Sequence, residues 1–461
     1  MLNNVNNLKI ALHNLGCKVN GYEMDVMAQR LREAGAVIVP FSEQADIYII
    51  NTCTVTNIAD RKSRQMLHKS KKNNPDSVVV AVGCYVETDT EGVKKDECID
   101  LAIGNNKKAE IVDILNKYLE TRAARCGAGE QAAADDKTLG GTSIIDINST
   151  HEYESMFLSE LPEHTRAYIK IQDGCNQFCS YCVIPYARGR VRSRDQQEII
   201  NEIKGLVQKG CKEVVLTGIH VSSYGSDFEN KDVNLISLIE HINEIAGIRR
   251  IRLSSLEPRI MTEDNVKRLS MVDKLCPHFH LSLQSGCDSV LKRMNRHYTA
   301  EEFRQGVEIL RKYFDRPAIT TDVIVGFPGE TEEEFDECRK FVEDIDFYEM
   351  HVFKYSPRKG TVAAGMKDQL TDREKSARSD VLLHLTKTQA ENYRNSFIGE
   401  KLEILWEDEE EIKGRKYMTG HSDRYVKVAI PSDSPLCIPC VTGEITSVVP
   451  TGFLNSDTLL I

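Results

Sequence analysis

Short apolar segments alternate with helical patterns over most of the chain, and this alternation limits the fold more than any other feature. In the first hundred residues, strand-like segments at 9–13 and 47–51 are followed by helical patterns at 21–34 and 58–72. Strands that alternate with helices predict a parallel sheet that is covered by helices on both faces. We therefore expect an N-terminal α/β domain over residues 8–118.

A second α/β series begins near Tyr168. Six strand and helix units are too few for a closed eight-fold barrel, so they predict a partial (β/α)6 barrel of the TIM type over residues 161–392. Ligand chemistry in such folds belongs at the carboxyl ends of the strands. The strands are expected at residues 168–172, 213–217, 250–253, 280–283, 319–325 and 350–355.

Two other stretches differ in character from these α/β series. Residues 119–160 are rich in alanine, glycine and charged side chains, and this composition predicts a linker. The stretch 397–461 carries short alternating strand patterns separated by glycine, proline, aspartate and serine, which predict a small all-β barrel. That stretch is acidic, because its last 63 residues hold six Lys or Arg and eleven Asp or Glu.

Composition excludes several classes of protein. No apolar run approaches the roughly 20 residues that a membrane span needs. The N-terminus lacks the basic start and apolar core of a signal peptide, so we expect a cytoplasmic protein without a membrane partner. The net charge of −11 argues against nucleic-acid binding by bulk charge alone. The 14 cysteines are therefore expected to be reduced, some of them as metal ligands.

Cys175, Cys179 and Cys182 form a C-x3-C-x2-C motif directly after the first strand of the second series. Three thiolates from one loop can hold three corners of a cubane iron–sulfur cluster and leave the fourth iron open. Zinc and three packed thiols remain as alternatives. Structural zinc, however, needs four ligands, and neither cysteine nor histidine lies nearby in the sequence.

This triplet, its place after the first strand and Tyr181 just before its last cysteine resemble the radical S-adenosylmethionine (SAM) enzymes. The resemblance implies a [4Fe–4S] cluster whose open iron chelates SAM, so that one electron cleaves SAM to a 5′-deoxyadenosyl radical. The protein then has to orient the cofactor and keep it dry. A reducing electron donor of the flavodoxin or ferredoxin type is expected with it.

A second set of cysteines is dispersed in the sequence. Cys17, Cys53 and Cys84 each follow a predicted parallel strand, and Gly16 and Gly83 allow tight turns before two of them. The carboxyl ends of parallel strands lie along one edge of a sheet, so the three thiols could converge. For each cysteine taken alone, a buried structural thiol is the alternative.

The combination is similar to the methylthiotransferases, and the similarity runs from about Lys9 to Ile461. That family has an N-terminal three-cysteine domain, a radical SAM domain and a C-terminal RNA-binding barrel of the TRAM type. The resemblance implies a second [4Fe–4S] cluster on Cys17, Cys53 and Cys84 that supplies or activates the inserted sulfur. A methyl group then comes from another SAM, and no catalytic side chain is assigned beyond the clusters.

Three segments resemble one branch of the family: "LGCKVNGYE" at 15–23, "NTCTVTNIADRKSRQ" at 51–65 and "IQDGCNQFCSYCVIPYARGRVRSR" at 171–194. That branch methylthiolates C2 of N6-threonylcarbamoyladenosine at position 37 of tRNA, which implies a tRNA anticodon stem-loop as partner. Separately, we expect the enzyme to be a monomer. Three alternatives stay open. They are the isopentenyladenosine branch, the branch that modifies an aspartate of a ribosomal protein, and a non-enzymatic electron carrier.

Polar residues at the ends of the barrel strands are candidates for SAM contact. One alternative role is helix capping, for which "SSLEP" and "GET" are also suited. The turn after the second strand lacks the glutamate that many radical SAM enzymes use for the SAM amino group. Together with Tyr181, the candidates are Thr217, Gly218, Ser254, Glu257, Gln284 and Asp322.

Basic residues are candidates for RNA contact. Arg188, Arg190, Arg192 and Arg194 alternate, so in an extended segment they share one face that suits phosphates or the SAM carboxylate. A solvated charge run is the alternative. Lys62 and Arg64 lie on a basic helical segment, and Lys416 and Arg424 lie in the acidic C-terminal module. The alternative role of that module is mainly to pack against the enzyme core.

Overall fold

The structure is a computed structural model that describes residues 4–127, 141–161 and 165–461. The chain divides into two compact units that cut across the predicted domain boundaries. The first unit comprises Met1–Glu160, Gln172–Arg194 and Ser356–Thr361. The second comprises Leu161–Ile171, Asp195–Tyr355 and Val362–Ile461. Among the described residues, no helix is both long and apolar enough to cross a membrane.

The first unit contains the predicted N-terminal parallel sheet, with strands in the order β2-β1-β3-β4-β5-β6 and every pair parallel. The central strands β3 and β4 are buried along their whole length, as is usual for parallel strands covered on both faces. The strands are β1 (Lys9–Asn14), β2 (Val37–Val39), β3 (Ile47–Thr52), β4 (Val78–Gly83), β5 (Leu101–Ile103) and β6 (Gly141–Ser143). The helices are α1 (Lys18–Glu33), α2 (Asn57–Asn73), α3 (Cys84–Thr88), α4 (Thr90–Lys95) and α5 (Ile111–Gly127).

The stretch predicted as a linker is partly regular. Helix α5 continues to Gly127, and β6 pairs with β5 as an edge strand of the N-terminal sheet. Residues 128–140, which also belong to the predicted linker, lie outside the described part of the chain. The sequence did not predict that α5 continues past residue 118, because an alanine-rich composition is compatible with a helix as well as with a linker.

The first unit also holds the loop that follows β7 (Ala167–Asp173). Gln172 and Asp173 end this strand and pair antiparallel with β8 (Arg192–Ser193). Between them lie the cysteine motif and the single-turn helix α6 (Ile184–Ala187), in which proline occupies the first turn. The loop is therefore closed at its base by strand pairing.

The second unit carries the remaining barrel strands and confirms the predicted α/β series. Strand β9 pairs parallel with β10, and β11, β12 and β13 form a second parallel set. The strands are β9 (Glu213–Gly218), β10 (Arg250–Leu253), β11 (His278–His280), β12 (Ala318–Val325) and β13 (Glu349–Lys354). Only β11 departs clearly from its predicted position, since it begins and ends two to three residues earlier.

Helices follow these strands, and most of them begin with a side-chain cap. Thr299, Thr331 and Thr371 each form a capping box with the glutamate three residues later. The alternative role of "GET" as a helix start is thus confirmed for Thr331. The helices are α7 (Gln196–Gln208), α8 (Leu235–Asn243), α9 (Glu263–Ser270), α10 (Asp288–Arg293), α11 (Ala300–Tyr313), α12 (Glu332–Ile345) and α13 (Asp372–Asn395).

The C-terminal module of the second unit is a six-stranded, mostly antiparallel sheet in the order β17-β14-β15-β16-β19-β18. Only β16 and β19 pair parallel. Trp406 is fully buried and donates from Nε1 to Thr446 Oγ1 at 2.7 Å. The strands are β14 (Leu402–Ile412), β15 (Arg415–Ser422), β16 (Lys427–Pro431), β17 (Ile445–Val448), β18 (Gly452–Asn455) and β19 (Thr458–Leu460).

Short 3₁₀ helices complete the described elements. They occupy Lys108–Glu110, Ile147–Ser149, Val221–Ser223, Pro258–Ile260, Ala363–Gly365 and Pro435–Cys437.

Candidate metal centres and cofactor site

The structure brings Cys17, Cys53 and Cys84 to one edge of the N-terminal sheet. Cys17 follows β1 and caps α1, Cys53 follows β3, and Cys84 opens α3 directly after β4. Since β1, β3 and β4 are neighbouring parallel strands, their carboxyl ends meet at this edge. Burial raises the pKa of Cys53 to about 11, and the nearby thiols of Cys84 and Cys17 add to the rise.

Two glycines make this convergence possible. Gly83 has φ of 97°, and a Cβ there would lie 2.6 Å from Asn51 Oδ1. Gly16 has φ of 126°, and a Cβ there would lie 3.3 Å from the sulfur of Cys53. Both positions combine a positive φ with a close approach, so the predicted tight turns are present where a side chain would obstruct them.

Asparagines surround the trio and were not selected from the sequence. Asn20 donates from Nδ2 to the carbonyl groups of Leu15 and Thr52, at 3.0 and 3.1 Å. Asn105 donates from Nδ2 to the sulfur of Cys84 at 3.7 Å. These amides fix the turns that carry the cysteines. Asn20 stands three residues after Cys17, a spacing within one helical turn that could have pointed to it.

Cys175, Cys179 and Cys182 lie on the loop that follows β7. The amide of Cys175 donates to Gly189 O at 3.0 Å, and that of Cys182 donates to Cys179 O at 3.0 Å. Gly174 has φ of 72°, and a Cβ there would lie 1.8 Å from Arg190 O, so only glycine fits before the motif. Tyr181 is half-buried within the same loop.

Arg188 lies between the two sets of cysteines in the first unit. Its Nε donates to the sulfur of Cys84 at 3.2 Å, and its Nη1 donates to Glu23 at 2.7 Å and to Asp173 at 3.2 Å. Its Nη2 donates to Asn20 Oδ1 at 2.6 Å. Burial opposes the charge, but Cys84, Glu23 and Asp173 together hold the pKa of Arg188 well above its usual value.

The polar residues proposed at the barrel strands are spread over four strands: Thr217 and Gly218 end β9, Ser254 and Glu257 follow β10, Gln284 follows β11 and Asp322 lies within β12. Ser254 is buried, and its Oγ has no hydrogen-bond partner among the described residues. Gln284 is buried at a positive φ of 68°, and its backbone N–H donates to the carbonyl oxygen of Asp322 at 2.8 Å. Glu257 accepts a hydrogen bond from Arg259 at 2.6 Å. Thr217 is buried and Gly218 is half-buried at the end of β9.

Three histidines join this set, of which His280 and His351 were not predicted. His280 Nε2 lies 3.2 Å from Asp322 Oδ2, and the rings of His280 and His351 stack at 5.8 Å between centroids. Asp322 pairs directly with His351 across β12 and β13. His220 lies after β9, where burial lowers its pKa to about 4. A histidine that follows or lies on a barrel strand is the signal that could have identified each one.

Comparison with known proteins places these features in a family. Residues 169–342 match the model described as "Radical SAM superfamily", and residues 9–104 match "Uncharacterized protein family UPF0004". The chain is 40% identical over 421 residues to the threonylcarbamoyladenosine tRNA methylthiotransferase MtaB of Bacillus subtilis (strain 168), covering 91% of this chain and 89% of the relative. The protein of the same name from Aquifex aeolicus (strain VF5) is 38% identical, with 91% and 98% covered.

The chain belongs to the radical SAM methylthiotransferase family. It is also 33% identical to the tRNA-2-methylthio-N(6)-dimethylallyladenosine synthase of Clostridium tetani (strain Massachusetts / E88), over 88% of this chain and 87% of that protein. Among solved structures it is similar to the radical SAM methyltransferase TsrM of Kitasatospora setae. The TM-score is 0.54 at 16% identity, covering 76% and 77% of the two chains, which supports the fold alone.

As a radical SAM methylthiotransferase, the enzyme uses SAM and [4Fe–4S] clusters. The cysteine geometry fits polynuclear clusters better than zinc. With Zn–S bonds near 2.3 Å, tetrahedral zinc holds its sulfurs about 3.8 Å apart. In the described part of the chain, the groups of three ligand atoms within 4.8 Å of one another include none of the six cysteines.

The burial of arginines in this methylthiotransferase contradicts the prediction that residues 188–194 present a phosphate-binding face. Arg188, Arg192 and Arg194 expose 1% of their surface or less. Helix α6 ends at Ala187 with Arg188 as its C-cap, and Gly189 has φ of 69°, so the segment is not extended throughout and the side chains do not share an outward face. The predicted RNA contacts of these three are therefore wrong. Arg190 is half-buried, with its guanidinium 4.5 Å from the ring centroid of Phe178.

The other basic candidates differ in accessibility. Lys62 and Arg64 are exposed on α2. Lys416 is exposed but lies 2.6 Å from Glu409, and Arg424 donates to the carbonyl of Asp315 at 3.0 Å. The guanidinium of Arg64 lies 5.8 Å from the ring centroid of Tyr85, whereas the two C-terminal cations already have acidic or carbonyl partners.

Proposed function

We propose that this enzyme methylthiolates C2 of N6-threonylcarbamoyladenosine at position 37 of cytoplasmic tRNA. The convergence of Cys17, Cys53 and Cys84 at one sheet edge carries the proposal, because it supplies a second set of thiol ligands beside the radical SAM motif. The similarity to relatives named threonylcarbamoyladenosine tRNA methylthiotransferase supports the choice of base. An adenine C2–H is too strong and too weakly acidic for general base catalysis, so it requires radical chemistry.

The cysteines are assigned in two sets within this proposal. Cys175, Cys179 and Cys182 hold the cluster that binds SAM, and Cys17, Cys53 and Cys84 hold the cluster that serves sulfur insertion. Bound there, the clusters and SAM supply the radical, the sulfur and the methyl group. The thiols have to lose their protons to bind iron, so cluster assembly releases protons.

The protein side of the proposed site binds and orients the cofactor. The buried Ser254 Oγ supports a ligand contact, because a buried hydroxyl group without a partner is costly. We assign SAM contact to the barrel set defined above, Tyr181, Thr217, Gly218, Ser254, Glu257, Gln284 and Asp322. His280 Nε2 lies 3.2 Å from Asp322 Oδ2, so the histidine ring limits where that carboxylate can lie.

RNA contact is assigned to the exposed cations of α2. Lys62 and Arg64 can reach phosphates without first breaking an ion pair or entering the interior. An anticodon loop offers its bases with little unstacking cost, which suits an enzyme that reacts at a base edge. The electron donor of flavodoxin or ferredoxin type and the monomeric state rest on the family resemblance alone.

Nucleoside mass spectrometry of tRNA tests the proposed reaction. The host is a bacterium deleted for its own tRNA methylthiotransferases, and it expresses the wild-type chain, Cys17→Ala or the control Cys437→Ala. We expect 2-methylthio-N6-threonylcarbamoyladenosine with the wild-type chain and with the control, and none with Cys17→Ala.

Two other results would contradict parts of the proposal. A 2-methylthio derivative of the dimethylallyl nucleoside would retain the chemistry and replace the substrate base. Absence of both products, from a protein that carries both clusters, would remove tRNA as the substrate. The ribosomal protein would then be tested in its place.

A further inference from the structure

The side chain of Arg188 uses its donors on two kinds of partner. Nη1 and Nη2 donate to carboxylate and amide oxygens of Glu23, Asp173 and Asn20, whereas Nε donates to the sulfur of Cys84. Arginine offers five N–H donors in a rigid planar fork. One buried side chain therefore makes polar contacts in three directions at once.

The buried cations around Arg188 outnumber the buried carboxylates. Glu23 and Asp173 supply two carboxylates, which pair with the three cations Arg188, Lys108 and Arg192. A further negative or acceptor group is therefore favourable here, since buried charges need partners. The Nε contact with Cys84 is additional, and its acceptor is a sulfur rather than a carboxylate.

The same residue connects to the loop of the other cysteine set. Asp173, which accepts from Arg188, also accepts from the amide of Gly174 at 2.8 Å, directly before Cys175. A backbone hydrogen bond makes a second link, because Cys175 N donates to the carbonyl oxygen of Gly189, the residue after Arg188. A single side chain thus joins Cys84 to the base of the Cys175 loop.

We propose that Arg188 is a positioning residue that holds Cys84 against the Cys175 loop and tunes the cluster of the N-terminal trio through its bond to the Cys84 sulfur. This inference rests on the proposed assignment of Cys17, Cys53 and Cys84 as cluster ligands. A hydrogen bond to a ligand sulfur stabilises the more negative, reduced cluster and so raises its reduction potential.

Lysine cannot replace this function. Its ammonium is a point charge on a flexible stem, so it retains the charge but loses the planar fork that reaches the sulfur and the carboxylates together. Arg188→Lys therefore separates the charge of the residue from its hydrogen-bond geometry.

The test uses the full chain in which Cys175, Cys179 and Cys182 are replaced by alanine, so that only the N-terminal cluster gives a signal. In this background we compare Arg188→Lys with the control Arg252→Lys. Arg252 is equally buried, and its hydrogen bonds go to Glu213 and to the carbonyls of Asp423 and Ser422 rather than to a proposed ligand. Iron and sulfide are counted, and the potential is measured by redox titration followed by EPR.

We expect Arg188→Lys to retain its iron and to shift to a more negative potential, while Arg252→Lys matches the parent. Equal potentials in Arg188→Lys and the parent at full iron content would overturn the inference alone. A parent that binds no cluster would overturn the ligand assignment and this inference with it.

A second measurement needs no change at Arg188, in case that variant fails to fold. Pulsed EPR of the reduced parent, labelled with ¹⁵N-arginine, should show a nitrogen coupled to the cluster. A spectrum without arginine nitrogen coupling would overturn the inference.

Discussion

Each compact unit buries an arginine whose Nε donates a hydrogen bond, but the acceptors differ in kind. In the first unit Arg188 donates from Nε to the sulfur of Cys84 at 3.2 Å. In the second unit Arg252 donates from Nε to Glu213 at 2.7 Å, and its other groups donate to the carbonyls of Asp423 and Ser422. Burial and charge are matched, so the acceptor atom is the difference.

The acceptor atoms suggest different roles for the two arginines. Arg252 forms a structural ion pair, whereas we propose that Arg188 supports a metal ligand. The hydrogen bonds of Arg252 end on oxygens of Glu213, Ser422 and Asp423, so they join β10 to the end of β15 and the turn after it. Burial alone would raise the pKa of Glu213, but Arg252 lowers it, and the carboxylate stays charged. The thiol that accepts from Arg188 keeps lone pairs with which it can bind iron.

The largest effect is expected from removing the sulfur acceptor. Cys84→Ala should lose about four iron atoms per chain, because a cubane cluster held by two thiolates is not retained. Cys276→Ala, in the second unit, should keep the full iron content although Cys276 is also buried. Iron and sulfide analysis of the purified proteins distinguishes the two. Equal iron loss in both would mean that buried thiols in general stabilise the clusters indirectly.

Glu213→Ala tests the oxygen-only arrangement. It leaves Arg252 and Arg250 buried without their carboxylate, so we expect a loss of about 3–5 kcal/mol in the free energy of unfolding of the second unit. Urea denaturation, followed by hydrogen exchange of β10 and β15, measures this loss. A loss under about 1 kcal/mol would show that water enters and solvates the arginines.

His220 predicts a pH dependence in the second unit. Its pKa is lowered by burial from 6.5 to about 4, so between these values the unfolded chain binds the extra proton. The free energy of unfolding should therefore fall as pH falls from 6.5 to 4, by up to about 3 kcal/mol. Hydrogen exchange near β9 should show this slope in the wild type and a flatter one in His220→Gln. Identical slopes would contradict it.

Glu87 predicts the opposite sign in the first unit. Burial raises its pKa from 4.5 to about 7, so between these values the folded state binds the extra proton. The free energy of unfolding should fall as pH rises from 4.5 to 7, by about 2 kcal/mol. Glu87→Gln should remove this slope from hydrogen exchange in α3 and β5. A wild type that gains stability over this range would sink the prediction.

The smallest effect concerns exposed cations. Lys62→Ala should weaken tRNA binding by roughly two- to five-fold and lower the slope of affinity against salt by about one. Lys416→Ala should change little, because Lys416 is already paired with Glu409. Filter binding over a series of salt concentrations measures both. A larger loss in Lys416→Ala would place the RNA on the C-terminal module.

The sequence predicted the parallel sheet and the convergence of Cys17, Cys53 and Cys84, because both follow from local periodicity and from where parallel strands end. It did not predict the burial of Arg188. The i, i+2 spacing of the arginines assumes an extended strand, but α6 and the positive φ of Gly189 interrupt it. The partners that bury Arg188 include Glu23, which lies 165 residues earlier. Spacing alone cannot reveal such a contact.

The first unit is completed by Arg358, a residue that is synthesised long after its contact partners. It donates to Thr54 Oγ1 at 2.7 Å and to Asp60 at 2.7 Å, next to Cys53, and it belongs to the short segment Ser356–Thr361 of that unit. On the ribosome, the turn beside Cys53 stays incomplete until more than three quarters of the chain has been synthesised. Iron delivered before Arg358 is synthesised would meet a turn beside Cys53 that still lacks its contacts with Arg358.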